Sequence, residues 1–138
     1  MTGEMNLENL IAGMDPVLAE GTFVFATLPD ATAIGEIDAK MWFHEVEGIT
    51  LILPRDAAEA AGIAYEFPCR MITLNVHSAL DAVGFLARIT AALAGAGMGV
   101  NPVSAFFHDH LFVPAERAEE AMAILTRLRA EFAATPPA

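Results

Sequence analysis

Residues 70–113 read RMITLNVHSALDAVGFLARITAALAGAGMGVNPVSAFFHDHLFV, and this stretch decides the fold. Its first part alternates. Ile72, Leu74 and Val76 fall on one face and Thr73 and Asn75 on the other, the period-2 pattern of a half-buried strand. His77-Ser78-Ala79-Leu80-Asp81 breaks the alternation. From Val83 the period changes: Val83, Leu86, Ile89, Leu93 and Ala96 recur at steps of three or four and line one side of a helix. Gly95 and Gly97 end it, since glycine readily takes the left-handed backbone of a helix terminus. Val100 to Phe107 is strand-like, His108-Asp109-His110 is a compact polar tip, and Leu111-Phe112-Val113 returns as a second strand.

Composition narrows the function. The chain has 138 residues, room for one domain or two small ones, and 55% hydrophobic content supplies a real core. A formal net charge of −11 argues against nucleic acid and against an anionic membrane surface, which both require clustered Lys and Arg. One cysteine, Cys69, excludes an intramolecular disulfide framework and suits a reducing compartment. No apolar run is long enough to span a bilayer, and Met1-Thr2-Gly3-Glu4 lacks the basic start of a signal peptide, so a cytoplasmic location is expected.

Outward from the centre, Asn6 can cap a short helix with Leu7, Leu10, Ile11 and Met14 on one face, stopped by Asp15-Pro16. Thr22 to Leu28 reads as a strand. Residues 31–38 are ambiguous, with Gly35 disfavouring a long helix. Lys40 to His44 and Ile49 to Leu53 form a hairpin around Glu45 to Gly48. Pro54 opens a helix to Ala61 that Gly62 ends. Tyr65 to Pro68 is a connector or a short strand. After Pro114 a last helix carries Ala118, Ala121, Leu125, Leu128 and Phe132 on its apolar stripe, and Ala133 to Ala138 is expected to fray.

The chain repeats itself. Leu51 to Ala61 matches Leu111 to Ala121, with identities at Leu51/Leu111, Pro54/Pro114, Ala58/Ala118, Glu59/Glu119 and Ala61/Ala121. Each half therefore ends in strand, proline, helix. The first half is shorter between its strands by about a dozen residues, the length of one short helix. Its crossover helix is thus missing, and the helix after Asn6 is expected to take that place. The expected architecture is two sheets of about four strands, each with helices on one face, either packed side by side or forming one continuous sheet.

Ser78 to Val103 resembles the signature of the ACT domain, a small amino-acid-binding regulatory fold. The matching pieces are Gly84-Phe85-Leu86 at the helix start, the helix itself, Gly97 or Gly99, and Val100-Asn101 at the next strand. The whole chain is similar to a subgroup of stand-alone tandem ACT proteins of uncharacterised function, itself similar to arginine-sensing ACT proteins. The shared pattern is Val76-His77-Ser78, Asp81-Ala82-Val83-Gly84 and the Phe107 to Val113 run. It departs at Val83, where many ACT domains have proline. The resemblance implies an α+β fold of two ACT-like (ferredoxin-like βαββαβ) units with antiparallel sheets, residues 1–67 forming an incomplete first unit and 68–138 the second. It also implies a homodimer, a protein target and an amino acid as ligand.

Candidate site residues follow from both lines. The turn before Gly84 leads into a helix N-terminus, whose unpaired N–H groups suit a carboxylate. The resemblance places backbone contacts at Val83, Gly84 and Phe85. Ser78 can donate a hydroxyl to a ligand, or Ser78 or Asp81 can cap the helix. Asn101 either meets the ligand or bonds local backbone. His108, Asp109 and His110 admit three readings: a polar hairpin tip, ligand contacts as the family implies, or, with His77, a metal site short of ligands. Arg70 beside Cys69 could activate the thiol, though a lone cysteine is ordinarily an inert buried residue. His44, Glu45 and Glu47 suit a solvated turn better than acid–base chemistry. No phosphate loop, serine elbow or zinc-protease motif occurs, and no cofactor, bound metal or catalytic residue is expected. The expectation is a non-enzymatic small-molecule sensor, with a metal-binding protein or metal-dependent enzyme using His77, His108 and His110, and an oligomeric scaffold without ligand, as alternatives.

Overall fold

The computed structural model describes residues 3–133. They form two compact units, one from residues 3–20 with 70–133 and one from residues 21–69. The class is α+β with antiparallel pairing, as expected. The tail expected beyond Ala133 lies outside the described residues.

In the 21–69 unit, β2 (Phe23–Leu28), β3 (Met41–Glu45) and β4 (Gly48–Pro54) make a meander in the order β3-β4-β2. β4 pairs with β2 from Phe23↔Pro54 to Leu28↔Ile49 and with β3 from Met41↔Ile52 to Glu45↔Gly48. Val46-Glu47 is the turn. The first residues of β5 (Glu66–Asn75) add to the free side of β2 at Phe23↔Cys69 and Phe25↔Glu66, with a shift between the two pairs. Phe67 sits there at φ 56°, outside ordinary strand backbone, and its ring meets Phe25 edge-on at 5.8 Å. β5 thus begins inside Tyr65 to Pro68, the short-strand alternative for that stretch. The helix α2 (Arg55–Ala60) covers one face through Ala58, over Val24, Leu51 and Leu53. Only a short 3₁₀ turn, Ala31–Ala33, fills the ambiguous region.

In the other unit, β7 (Asp109–Pro114) lies between β5 and β6 (Asn101–Ser104). The far side of β5 is taken by β1 (Asp15–Leu18), antiparallel from Asp15↔Asn75 to Leu18↔Ile72. The sequence reading missed β1 because it contains Pro16. A proline is tolerated on an edge strand, where no ladder N–H is required of it. β1 supplies, from the other end of the chain, the fourth strand that this unit needs. Arg70 donates to the Ala19 carbonyl at 2.9 Å and ties the two strands together.

Three helices cover one face of this sheet. They are α1 (Leu7–Gly13), α3 (Phe85–Ala94) and α4 (Ala118–Ala133). Their apolar stripes meet Ile72, Leu74, Leu111 and Val113 in a core that includes Leu10, Ile11, Met14, Ile89, Leu93 and Leu125. Asn6 accepts from the Asn9 N–H at 2.9 Å, the expected cap. The packing partners of α1 are α3 and α4, so this helix lies with the second half's elements and does not stand in for the helix missing from the first. Apolar demand decides its place: its buried face fits the larger core.

The repeat is structural as well. Pro54 (φ −59°, ψ 139°) and Pro114 (φ −51°, ψ 133°) take the same extended backbone at the strand-to-helix junction. Leu51-Ile52-Leu53 and Leu111-Phe112-Val113 are buried at every position, as are Ala58 and Ala118.

Candidate functional site

The chain leaves β5 at Asn75, crosses the loop 76–84 and enters α3. Gly84 occupies the N-cap at φ 90°, ψ −9°, a left-handed conformation that other residues resist, and no side chain caps the helix. The first-turn N–H groups of α3 are therefore free of a side-chain acceptor. The loop is held from behind by the N-terminal segment. The Glu4 N–H bonds the His77 carbonyl at 2.8 Å, and the Ala79 N–H bonds the Glu4 carbonyl at 2.9 Å. Gly3 lies so close to this loop that a Cβ on it would fall 2.5 Å from the Ala79 nitrogen.

Ser78 does not cap α3. Its hydroxyl donates to Asp109 Oδ2 at 3.3 Å, while Ser104 donates to Asp109 Oδ1 at 2.6 Å. Asp109 is 7% exposed and is the charged side chain that is buried among the described residues. The ion pairs Arg117–Glu120 and Arg129–Asp15 lie elsewhere. A cleft of about 200 Å³ opens beside it, lined by Ser78, Ala82, Phe85, Leu86, Ser104 and Asp109 among others.

Strand alternation sorts the polar tip. Asp109, Leu111 and Val113 turn to the helix-covered face, Leu111 and Val113 into its core. His110 turns the other way, where its Nδ1 lies 2.9 Å from the Thr73 hydroxyl. The His108 and His110 rings stand 6.4 Å apart at 75°, and His77 packs on Phe107 at 5.7 Å. The described residues contain no group of three His, Cys, Asp or Glu able to hold a metal ion.

The structure thus brings Ser78, Phe85 and Asp109 to one cleft, with Gly84 between its lining stretches. It does not bring Val83, Asn101, His108 or His110 there. Val83 points outward at 82% exposure, and Asn101 is exposed on β6 opposite Phe112. Sequence reading missed Ser104. The signal was the hairpin itself: Ser104 pairs with Asp109 across its closing turn.

Cys69 is fully buried, and burial pushes its thiol up to about 12. Its Sγ donates to the Phe23 carbonyl at 3.3 Å. Desolvation, not the neighbouring Arg70, sets its acidity, so it is inert. His44, Glu45 and Glu47 are exposed around the hairpin turn, with Glu45 accepting from the Thr50 hydroxyl.

Comparison with known proteins agrees with this architecture. The ACT domain family matches twice, over residues 2–70 and 66–127. This chain belongs to the ACT domain family and carries two such domains in tandem. A crystallised Vibrio cholerae protein of unknown function, described as a possible transport protein, is 35% identical over 89% of this chain and 95% of its own, with a TM-score of 0.82. Two more distant structures share the fold. An Agrobacterium tumefaciens protein is 19% identical over 84% of this chain and 89% of its own, at TM-score 0.68. The ligand-free regulatory subunit of aspartate kinase from Thermus thermophilus is 15% identical over 82% and 95%, at 0.64. No curated protein matches. No helix of the described residues is long and apolar enough to cross a membrane.

Proposed function

We propose that this protein is a non-enzymatic regulatory sensor that binds an amino acid in the cleft at the start of α3. The observation that carries the reading is Asp109. A buried carboxylate satisfied by two hydroxyls and no cation is costly, and a ligand's ammonium or guanidinium would supply the missing charge. The ligand's carboxylate would meet the uncapped N–H groups beside Gly84, with Phe85 and Leu86 against its apolar part. Ser78 and Ser104 complete the polar wall. Two family matches, at 2–70 and 66–127, support a sequence boundary near residue 67 between units 1–67 and 68–138, with residues 3–20 of the first folding into the compact unit of the second. A regulatory subunit with this fold supports a regulatory role, exerted on another protein in the cytoplasm through stabilisation of one arrangement on binding.

A thermal-shift screen against the twenty amino acids, with Zn²⁺ and EDTA as separate wells, tests the reading. A ligand at 100 times its Kd stabilises by about 2.7 kcal/mol. The expected result is a shift with one class of amino acid, and at least about thirtyfold weaker binding by Asp109→Asn, which keeps the shape but removes the charge. Undiminished binding by that variant would place the site elsewhere. A shift with Zn²⁺ alone would replace the sensor with a metal-binding protein.

A further inference from the structure

Residues 3–6 run beside the loop 76–84 before the chain enters α1. Glu4 forms a parallel bridge with Ser78. Two bonds close it, from the Glu4 N–H to the His77 carbonyl at 2.8 Å and from the Ala79 N–H to the Glu4 carbonyl at 2.9 Å. The Glu4 side chain then turns the segment into the helix. Its Oε1 accepts from the Asn6 N–H at 3.0 Å, and Asn6 caps α1. Leu10 and Ile11 fix that helix in the core. The segment is therefore anchored at one end in the core and bonded at the other to the loop that leads to α3.

Ser78 is held from two sides. Its backbone neighbours are bonded to Glu4, and its hydroxyl reaches Asp109 at 3.3 Å. That distance is at the long limit for a hydroxyl bond, so a small displacement of the loop breaks it. Ser104 holds the same carboxylate at 2.6 Å from within the hairpin, independently of the segment. The loop's own bonds are local, from the Ser78 N–H to the Val76 carbonyl and from the Ala82 N–H to the Ala79 carbonyl, each at 3.0 Å. Residue 3 has no room for a side chain. A Cβ there would fall 2.5 Å from the Ala79 nitrogen, 2.6 Å from the Ser78 carbonyl carbon and 2.8 Å from its oxygen. All three atoms are backbone, so either the segment or the loop would have to move.

We propose that residues 3–6 are a clamp that positions Ser78 on Asp109, and that Gly3 is the positioning residue that lets the clamp seat. Gly3 acts through Ser78, whose hydroxyl and Asp109 partner form the wall of the cleft. What that wall binds rests on the sensor reading given above, whereas the clamping of the loop does not. Linkage makes the effect reciprocal. If seating the clamp readies the cleft, an amino acid in the cleft tightens the clamp by the same factor. Occupancy is then communicated to the start of α1, whose cap follows Glu4 by two residues.

Amide exchange and carbon NMR on the full chain test this with two variants. Gly3→Ala blocks the close approach, and Glu4→Pro deletes the N–H that bonds the His77 carbonyl. Each should speed exchange at least about tenfold at Ser78 and Ala82, whose amides bond within the loop. Exchange at the buried Leu74 and Leu111 should stay unchanged. The Asp109 carboxyl carbon resonance should move in the direction it takes in Ser78→Ala, a signature that a segment merely packed on the loop would not give. Titration with each of the twenty amino acids should show at least about tenfold weaker binding by both variants. In the native chain, a bound amino acid should slow exchange at Glu4. Unchanged exchange at Ser78 and Ala82 in both variants would overturn the proposal, whether or not any amino acid binds. So would an amino acid that binds both variants as tightly as it binds the native chain. If none binds the native chain the sensor reading fails, and the exchange rates and the Asp109 resonance decide the clamp by themselves.

Discussion

Asp109 and Cys69 show how burial gives one residue a role and takes it from another. Both sit in segments that sequence reading marked, yet nothing in the sequence ranks them. Asp109 is sealed among hydroxyls next to a cleft, where the proposed ligand's cationic group would meet it. Cys69 is sealed among apolar side chains, which keeps its sulfur protonated. With its thiol pushed up from 9.0 to about 12, the thiolate fraction at pH 8 should fall about a thousandfold. The folded protein should therefore resist a disulfide reagent that labels it at once in denaturant. Rapid labelling of the folded state would contradict this burial. The thiol's pKa is higher folded than unfolded, so its contribution is intact below pH 9 and is lost as pH rises from there towards 12.

At the level of elements, α3 and α4 are legible because their apolar residues recur at helical spacing. What joins them is not. Arg117 donates to the Ala96 carbonyl at 2.8 Å and the Gly97 carbonyl at 3.0 Å, and pairs with Glu120 at 2.9 Å. The guanidinium thus closes the carboxyl end of α3, where carbonyls lack partners and a cation is favoured. The Arg117 hydrogen bond holds the exposed Glu120 carboxyl below its usual range, so this pair persists above about pH 4.5 and weakens as acid protonates Glu120. Arg117→Ala should lower the urea midpoint and speed amide exchange at Gly97 and Met98. A variant as stable as the native chain would show that these carbonyls are equally well served by water. The strand β1 was illegible for a related reason. Its four residues hold a proline, and only the open side of β5, far along the chain, gives them a ladder to join.

Taken whole, the molecule is strongly acidic, and its net charge of −11 is spread over a small surface. Self-repulsion of this kind destabilises the compact state. Raising ionic strength from about 0.01 M to 0.15 M shortens the Debye length from about 30 to about 8 Å, so the melting temperature should rise over that range. A melting temperature that falls with added salt would mean that attractive pairs outweigh the repulsion. The same acidity favours a ligand or partner that carries positive charge.

By itself the sequence determined most of the secondary structure, the family and the repeated strand–proline–helix unit. Those features rest on local periodicity, on turn residues and on the fixed φ of Pro54 and Pro114. It also marked the loop before Gly84, whose positive φ is a backbone property of that one residue. Only the tertiary structure decided that α1 and β1 complete the second half's unit. It alone parted Asp109 from His108 and His110 and joined Ser104 and Ser78 on one carboxylate. Those outcomes depend on which buried faces and unpaired strand edges meet across long stretches of chain, and neither spacing nor residue type records that.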